Sequence, residues 1–285
     1  MATILDGKLT SAKVKEEVAG KIAALTAAGG SAPCLAVVIV GDNPASKIYV
    51  ANKKKACEAV GISSLSYELD GSTTQDELLE LIDRLNADRN VNGILVQLPL
   101  PSHIDEQTVI ERISPDKDVD AFHPSSVGRI TLGLDGFEPC TPSGIMRLLS
   151  EYGISPAGKN CVVVGRSNIV GKPMALLLLR ANGTVDICHS RTADLASHTR
   201  RADILVVAVG KAKFITADMI KDGAVVVDVG MNRDNGKLCG DVDFEGCEKK
   251  ASYITPVPGG VGPMTIAMLM QNTLRAGERQ QGRTN

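Results

Sequence analysis

A series of short, unbroken apolar runs, alternating with helical patterns, most constrains what this chain can fold into. Leu35-Ala36-Val37-Val38-Ile39-Val40 and Gly93-Ile94-Leu95-Val96-Gln97 stand in the first half. Cys161 to Val164, Thr184 to Cys188, Ile204 to Val209 and Ala224 to Val229 stand in the second. Each run is long enough for a buried strand and too short for a helix. A strand apolar on successive residues needs cover on both faces, as strands of a parallel sheet flanked by helices have. Helical patterns fill the gaps: Ser11 to Ala28 closed by Gly29-Gly30, and Pro44 to Val60 stopped by Gly61. Ser64 to Leu69 reads as a further strand, and Thr74-Gln75-Asp76-Glu77 as a capping box opening the next helix. The alternation predicts βαβ units and an α/β fold.

The stretch from Ser114 to Pro139 breaks the pattern, with dense Pro, Gly and Asp and no clear period, and predicts a loop-rich connection between two domains. After it, Thr141 reads as an N-cap and Pro142 as a first helical residue. A last helix is expected from about Pro263 to Arg275, leading into a disordered polar tail from Glu278 to Asn285.

Composition narrows the function classes. A net charge of −2 and an aromatic content of 3% provide neither the basic stripe nor the stacking platform of a nucleic-acid protein. The seven cysteines are scattered without a C-x-x-C pair, several inside apolar runs, which reads as free thiols in a reducing compartment. The four histidines lack metal-ligand spacing, so no metal is expected. The N-terminus shows no leader pattern, and no apolar run approaches the roughly 20 residues of a membrane span. A cytoplasmic protein is expected.

Two segments point to a dinucleotide. Cys161 to Pro173 reads as a strand, a tight turn at Gly165-Arg166-Ser167 and a helix start near Gly171. A helix N-terminus there would offer unsatisfied N–H groups to a pyrophosphate. Ser167 replaces the second glycine of the usual G-x-G-x-x-G and Gly171 is displaced, so a turn that binds nothing is an equal reading of this motif alone. The next strand ends in His189-Ser190-Arg191, where an NAD site carries an acid for the ribose 2′-hydroxyl. A hydroxyl, an imidazole and a guanidinium suit a 2′-phosphate instead, with Arg166 in reach of it, although lone arginines are usually solvated surface charges. Together they favour NADP.

Other residues carry candidate chemistry. Tyr49 and Lys53 lie one helical turn apart on one face, with Ser46 a turn earlier. Such a pair makes a usable proton shuttle, while Lys53-Lys54-Lys55 also reads as an ordinary solvated run. Gln97 closes a strand at the sheet edge that hosts ligands in α/β proteins. In Asp118-Val119-Asp120 a carboxylate can accept paired N–H donors from a flat heterocycle, or cap a turn. Pro258-Gly259-Gly260 belongs to a stiff strand-to-helix turn that permits close backbone approach to a ligand.

Taken together, the Ser46-Lys47-Ile48-Tyr49 to Lys53 helix, the Val96-Gln97-Leu98-Pro99-Leu100-Pro101 strand exit, the Pro115 to Asp120 loop, the Gly165-Arg166-Ser167 turn and the Pro258 to Thr265 segment closely resemble the bifunctional methylenetetrahydrofolate dehydrogenase/cyclohydrolase family. The resemblance runs from Ile39 to about Asn272. It implies two α/β domains with a cleft between them, the C-terminal one Rossmann-like. Residues 1–139 would form the folate and catalytic domain, joined by a helix over 264–280, and residues 140–263 the NADP-binding domain. It implies oxidation of 5,10-methylenetetrahydrofolate by NADP⁺, then hydrolysis of the methenyl product to 10-formyltetrahydrofolate. Lys53 would assist the proton transfers, Tyr49 and Gln97 would position it, and Asp120 would hold the pterin edge. Tyr49, Pro258, Gly259 and Gly260 would contact substrate, and Gly165, Arg166, Ser167, Gly171, His189, Ser190 and Arg191 would hold NADP. The family also implies a homodimer. Ala121 follows Asp120 where the family more often has glycine. The rival readings are a monofunctional dehydrogenase of the same fold, a shikimate-type dehydrogenase and a nucleotide-sensing module without turnover.

Overall fold

The computed structural model describes residues 1–234 and 236–283. The chain forms two compact units. One comprises Met1–Ser11, Ile130–Leu134 and Thr141–Thr265; the other comprises Ala12–Arg129, Asp135–Cys140 and the chain from Ile266 onward.

The smaller sheet belongs to the second unit. Its strands β2 (Cys34–Val40), β3 (Ser63–Leu69) and β4 (Gly93–Val96) lie in the order β3-β2-β4, both pairings parallel. Central β2 is buried at all seven positions, whereas edge strand β3 has only exposed and half-buried residues. Ala36, Val38 and Val40 share a core with Leu78, Ile82 and Leu85 of α3 (Gln75–Ala87) and with Val109 of α4 (Glu106–Arg112). The i, i+4 and i+7 spacing of the α3 residues puts them on one helix face. The capping box forms: Thr74 N–H donates to Glu77 Oε2 at 2.8 Å and Glu77 N–H to Thr74 Oγ1 at 3.3 Å. Helix α2 (Pro44–Val60) follows β2, and α1 (Gly7–Ala27) begins four residues before the expected Ser11.

The larger sheet has six parallel strands in the order β1-β11-β8-β7-β5-β6. They are β1 (Thr3–Ile4), β5 (Asn160–Val164), β6 (Thr184–Cys188), β7 (Ile204–Val207), β8 (Val225–Asp228) and β11 (Tyr253–Ile254). Counted from β5, the order reverses beside that strand, with β6 on one side and β7 on the other. Such a switch point leaves an open crevice at the carboxyl edge. Val164 pairs with both Cys188 and Val207, and Val207 with Asp228, so four strand ends lie level along that edge. Helix α7 (Gly171–Arg180) buries Met174, Ala175, Leu177 and Leu178. The remaining elements of this unit include α8 (Leu195–Thr199), the antiparallel hairpin β9 (Asn232–Asp234) and β10 (Lys237–Cys239), and α9 (Phe244–Glu248).

Four expectations need correction. Residues 1–139 are expected to form one domain, but Thr3 and Ile4 pair with Tyr253 and Ile254 in the larger sheet. The loop-rich connector contains α5 (Pro124–Thr131), opened by a proline at its first turn. Helix α6 (Cys140–Glu151) starts at Cys140, so Thr141 lies inside it and its hydroxyl meets that of Thr265 at 3.0 Å. The last helix, α10 (Val261–Gln280), runs through Glu278, part of the tail expected to be disordered; Thr284 and Asn285 lie outside the described residues. Its last turns are held by tertiary contacts: Arg275 and Arg279 pair with Asp135, and Arg279 stacks on Phe137.

All seven cysteines are free thiols, six of them buried. Burial pushes Cys57 and Cys161 up to about 11 and Cys247 to about 12, which keeps them unreactive. Among the described residues no helix is long and apolar enough to cross a membrane. Among them, too, no group of three or more His, Cys, Asp or Glu side chains is placed to hold a metal ion.

Candidate active site

In the three-stranded unit, helix α2 leaves the carboxyl end of β2 and carries Tyr49 and Lys53 one turn apart on the face that buries Ser46 and Val50. Lys53 is only 7% exposed, so it is not part of a solvated run, whereas Lys54 and Lys55 are exposed. Its Nζ donates to Gln97 Oε1 at 2.9 Å. Gln97 leaves β4 with its N–H bonded to Val38 O, and its own Nε2 donates to Leu98 O at 2.7 Å. The second bond fixes the amide so that its oxygen faces the lysine. Tyr49 is half-buried, and burial raises its phenol above the ordinary range.

Asp120 comes to this place on a segment that extends the sheet beside β4. Ile94 N–H donates to Lys117 O, and Asp118 bridges Ile94 in parallel. Lys117 is buried, and its Nζ donates to Leu85 O and Asp88 O, anchoring the segment on the C-terminal end of α3. Asp118, 2% exposed, accepts the N–H of His123 at 2.8 Å and the hydroxyl of Ser126 at 3.4 Å. Between them Ala121 takes φ of 59°, the left-handed turn a glycine would adopt more easily. Burial raises Asp118 to about 6, opposed by the N–H groups of His123 and Phe122 and reinforced by Asp120.

Cys140 lies under these groups, fully buried. Burial, and after it the Asp120 carboxylate, drive its thiol well above the usual range, with Lys53 acting the other way. Asn272 Nδ2 donates to Val119 O at 2.8 Å and to Glu138 O at 2.9 Å. Lys53, Gln97 and Asp120 are therefore neighbours built by α2, β4 and a pinned loop. Cys140, Asn272 and Lys117 were not singled out in the sequence as site residues, and Asp118 only as one carboxylate of a motif whose site role went to Asp120.

The six-stranded unit holds the other candidates. Gly165 has φ of +134°, and a Cβ there would stand 2.3 Å from Ala208 O, so the turn admits only glycine. A Cβ on Gly171 would meet Gly165 O at 2.3 Å. Ser167 Oγ accepts the N–H groups of Val170 and Gly171, and Ser167 O accepts that of Lys172. Since Pro173 has no N–H, the donors expected free at the start of α7 are already used, which corrects the sequence expectation. The exposed loop Arg166 to Ile169 carries four backbone N–H groups that have no partner among the described residues. Level with it, His189 N–H donates to Thr192 Oγ1 and His189 Nδ1 accepts the N–H of Arg191. His189 thus shapes the turn, and exposed Ser190 and Arg191 stand at its tip. Free N–H groups on a glycine-tight loop, two arginines and a hydroxyl fit a phosphorylated dinucleotide.

Pro258, Gly259 and Gly260 precede α10. Gly259 has φ of +109°, and Gly259 O accepts the Lys8 N–H at 3.1 Å. A Cβ on Gly7 would fall 1.7 Å from Gly260 O, so the start of α1 is in direct backbone contact with this turn.

The catalytic-domain model of the tetrahydrofolate dehydrogenase/cyclohydrolase family matches residues 5–120, and its NAD(P)-binding-domain model matches residues 139–281. A protein of Agathobacter rectalis described as bifunctional protein FolD is 61% identical over 280 residues, covering 98% of this chain and 100% of that one. A crystal structure of the Campylobacter jejuni bifunctional enzyme FolD, methylenetetrahydrofolate dehydrogenase/cyclohydrolase, is 56% identical. It superimposes with a TM-score of 0.96 over 98% of this chain and 99% of that one. The Trypanosoma brucei methylenetetrahydrofolate dehydrogenase-cyclohydrolase, complexed with NADP cofactor and inhibitor, is 39% identical, with a TM-score of 0.94 over 99% of both chains.

Proposed function

The chain belongs to the tetrahydrofolate dehydrogenase/cyclohydrolase family and is an NADP-dependent bifunctional enzyme of it, and we propose that Lys53, Gln97, Tyr49 and Asp120 carry its folate chemistry. It oxidises 5,10-methylenetetrahydrofolate to the 5,10-methenyl form and hydrolyses that to 10-formyltetrahydrofolate. The observation that carries the residue assignment is the buried Lys53 amine held on Gln97 Oε1.

NADP, when bound, supplies the hydride acceptor for the first step. The loop Arg166 to Ile169 would hold its pyrophosphate, and Arg166, Ser190 and Arg191 its 2′-phosphate. Glycines 165 and 171 keep that loop tight, and His189 fixes the turn that carries Arg191. Proton handling belongs to the other unit. Water adds at the methenyl carbon and loses a proton to give the neutral carbinolamine. N5 then gains a proton, its bond to that carbon breaks, and the hydroxyl proton leaves as the formyl C=O forms, so one proton is released overall. A single amine that takes the first proton and returns the second serves both transfers. Gln97 holds Lys53 for this, Tyr49 screens it from solvent, and Asp120 accepts the paired N–H donors of the pterin. Pro258, Gly259 and Gly260 supply a rigid backbone edge for substrate. We assign folate binding to the three-stranded unit and NADP to the six-stranded one, and infer a cytoplasmic homodimer from the family.

The monofunctional reading lacks support in a site that keeps the full lysine constellation, and the family match sets aside the shikimate-type and non-catalytic readings. Replacing Lys53 by Met tests the assignment. Methenyl hydrolysis, followed by loss of the methenyl absorbance, is expected to fall by at least about a hundredfold. Hydrolysis at the wild-type rate would remove Lys53 from the mechanism.

A further inference from the structure

Two buried carboxylates in the six-stranded unit have no part in the chemistry above. Asp228 closes β8 and is 3% exposed; Asp241 follows the β9–β10 hairpin and is fully buried. Neither has a cationic partner among the described residues. Their charges are held by backbone N–H groups instead. Asp228 Oδ1 accepts Gly230 N–H and Asp241 N–H at 2.9 Å each, and Oδ2 accepts Val242 N–H at 2.9 Å. Asp241 Oδ2 accepts Val209 N–H at 2.7 Å and Gly210 N–H at 3.0 Å, while Oδ1 accepts Lys211 N–H and Asn232 Nδ2 at 2.8 Å each. Two glycines make the room. A Cβ on Gly240 would overlap Asp228 Oδ2, and one on Gly230 would stand 2.3 Å from Asp241 Cγ.

The three consecutive donors to Asp241 form the loop that leaves β7, one of the two strands at the switch point. Ala208, immediately before it, donates to Val164 O and presents the carbonyl against which Gly165 packs. The loop after β5 and the loop after β7 are therefore adjacent walls of one crevice. The first is fixed by Ser167 and glycine contacts, the second by Asp241. Gly210, with φ of +67°, has open space around its missing Cβ, so the neighbours of Gly210 do not set the loop's shape. We propose that Asp241 is a positioning residue for NADP: it gathers Val209 to Lys211 into one conformation, and Asp228 in turn fixes the backbone of Asp241.

This proposal rests on the NADP site lying at that edge, and the experiment separates the two. Asp241→Asn keeps the size but turns an NH₂ group toward backbone N–H donors, so the loop must rearrange. Its KM for NADP⁺ is expected to rise about tenfold or more, with kcat at saturating NADP⁺ within about threefold of wild type. Hydrolysis of methenyltetrahydrofolate, measured without NADP⁺, is expected to stay at the wild-type rate. Gly210→Ala strains the same loop without touching Asp241, and is expected to raise the same KM several-fold even if the Asn variant does not fold. Wild-type affinity for NADP⁺ in both variants overturns the role of Asp241, as does a parallel loss of hydrolysis in both. Wild-type protein that reduces no NADP⁺ overturns the cofactor site as well.

Discussion

Asp118 sets burial against hydrogen bonding within one side chain, and the outcome is measurable as a change of stability with pH. The carboxyl is 2% exposed, accepts two backbone N–H groups and the Ser126 hydroxyl, and has its ionisation moved from 3.8 to about 6. A group whose folded value is raised binds a proton more readily in the folded than in the unfolded chain. Its stabilisation is complete below about 3.8 and is lost as pH rises through about 6. A shift of about two units corresponds to about 3 kcal/mol. Asp118→Asn cannot titrate, and its amide oxygen still accepts one N–H, so the fold persists while the turn loosens. Urea unfolding followed by far-ultraviolet circular dichroism suits a protein without tryptophan. Between about pH 4 and pH 7, wild type should lose about 2–3 kcal/mol relative to the variant, the other carboxylates cancelling between the two proteins. A difference flat in pH, or one that moves in favour of wild type as pH rises, would mean that the donors outweigh burial, and the reasoning fails.

Two further outcomes follow from the six-stranded unit. Arg191→Ala should weaken NADP⁺ binding by about 10- to 100-fold, the loss of a charged hydrogen bond, while leaving the affinity for NAD⁺ unchanged in titration calorimetry. An equal loss for both cofactors would take the 2′-phosphate away from Arg191. Gly7→Ala places a methyl 1.7 Å from Gly260 O, with backbone on both sides. It should cost more than about 3 kcal/mol in urea unfolding, above the ordinary range for a single substitution; a loss under 1 kcal/mol would show that the turn yields.

Local patterns made much of this legible. The i, i+4 spacing of Tyr49 and Lys53 and the strand end at Gln97 were readable because each follows from the period of one element. That the lysine reaches the glutamine was not, since 44 residues separate them. The short strands β1 and β11 escaped because two residues carry no periodicity; only their pairing defines them. Helix α5, with two serines, a glycine and a threonine, has weak propensity and is held by His123 bonding Ser125 and Asp118 bonding Ser126. The donors to Asp241 precede it by 30 to 32 residues, and nothing local marks the carboxylate that gathers them.

Both units solve one problem in one way. A loop that presents atoms to a ligand has to leave part of its surface outward, so core packing alone cannot fix its shape. A buried carboxylate beneath the loop can, because it accepts several backbone N–H groups at once and forces them to converge. Asp118 does this for the segment that carries Asp120, and Asp241 does it for the wall beside Gly165. The arrangement has a cost. Asp118 and Asp228, both raised to about 6, are held charged near neutral pH where burial favours the acid form. Each therefore weakens the fold between about pH 4 and 6 while it keeps a loop in place. Substitution by Asn at either position should trade in the same direction, relieving the charge and loosening the loop, and the two effects separate because stability is read by denaturant and loop order by ligand affinity.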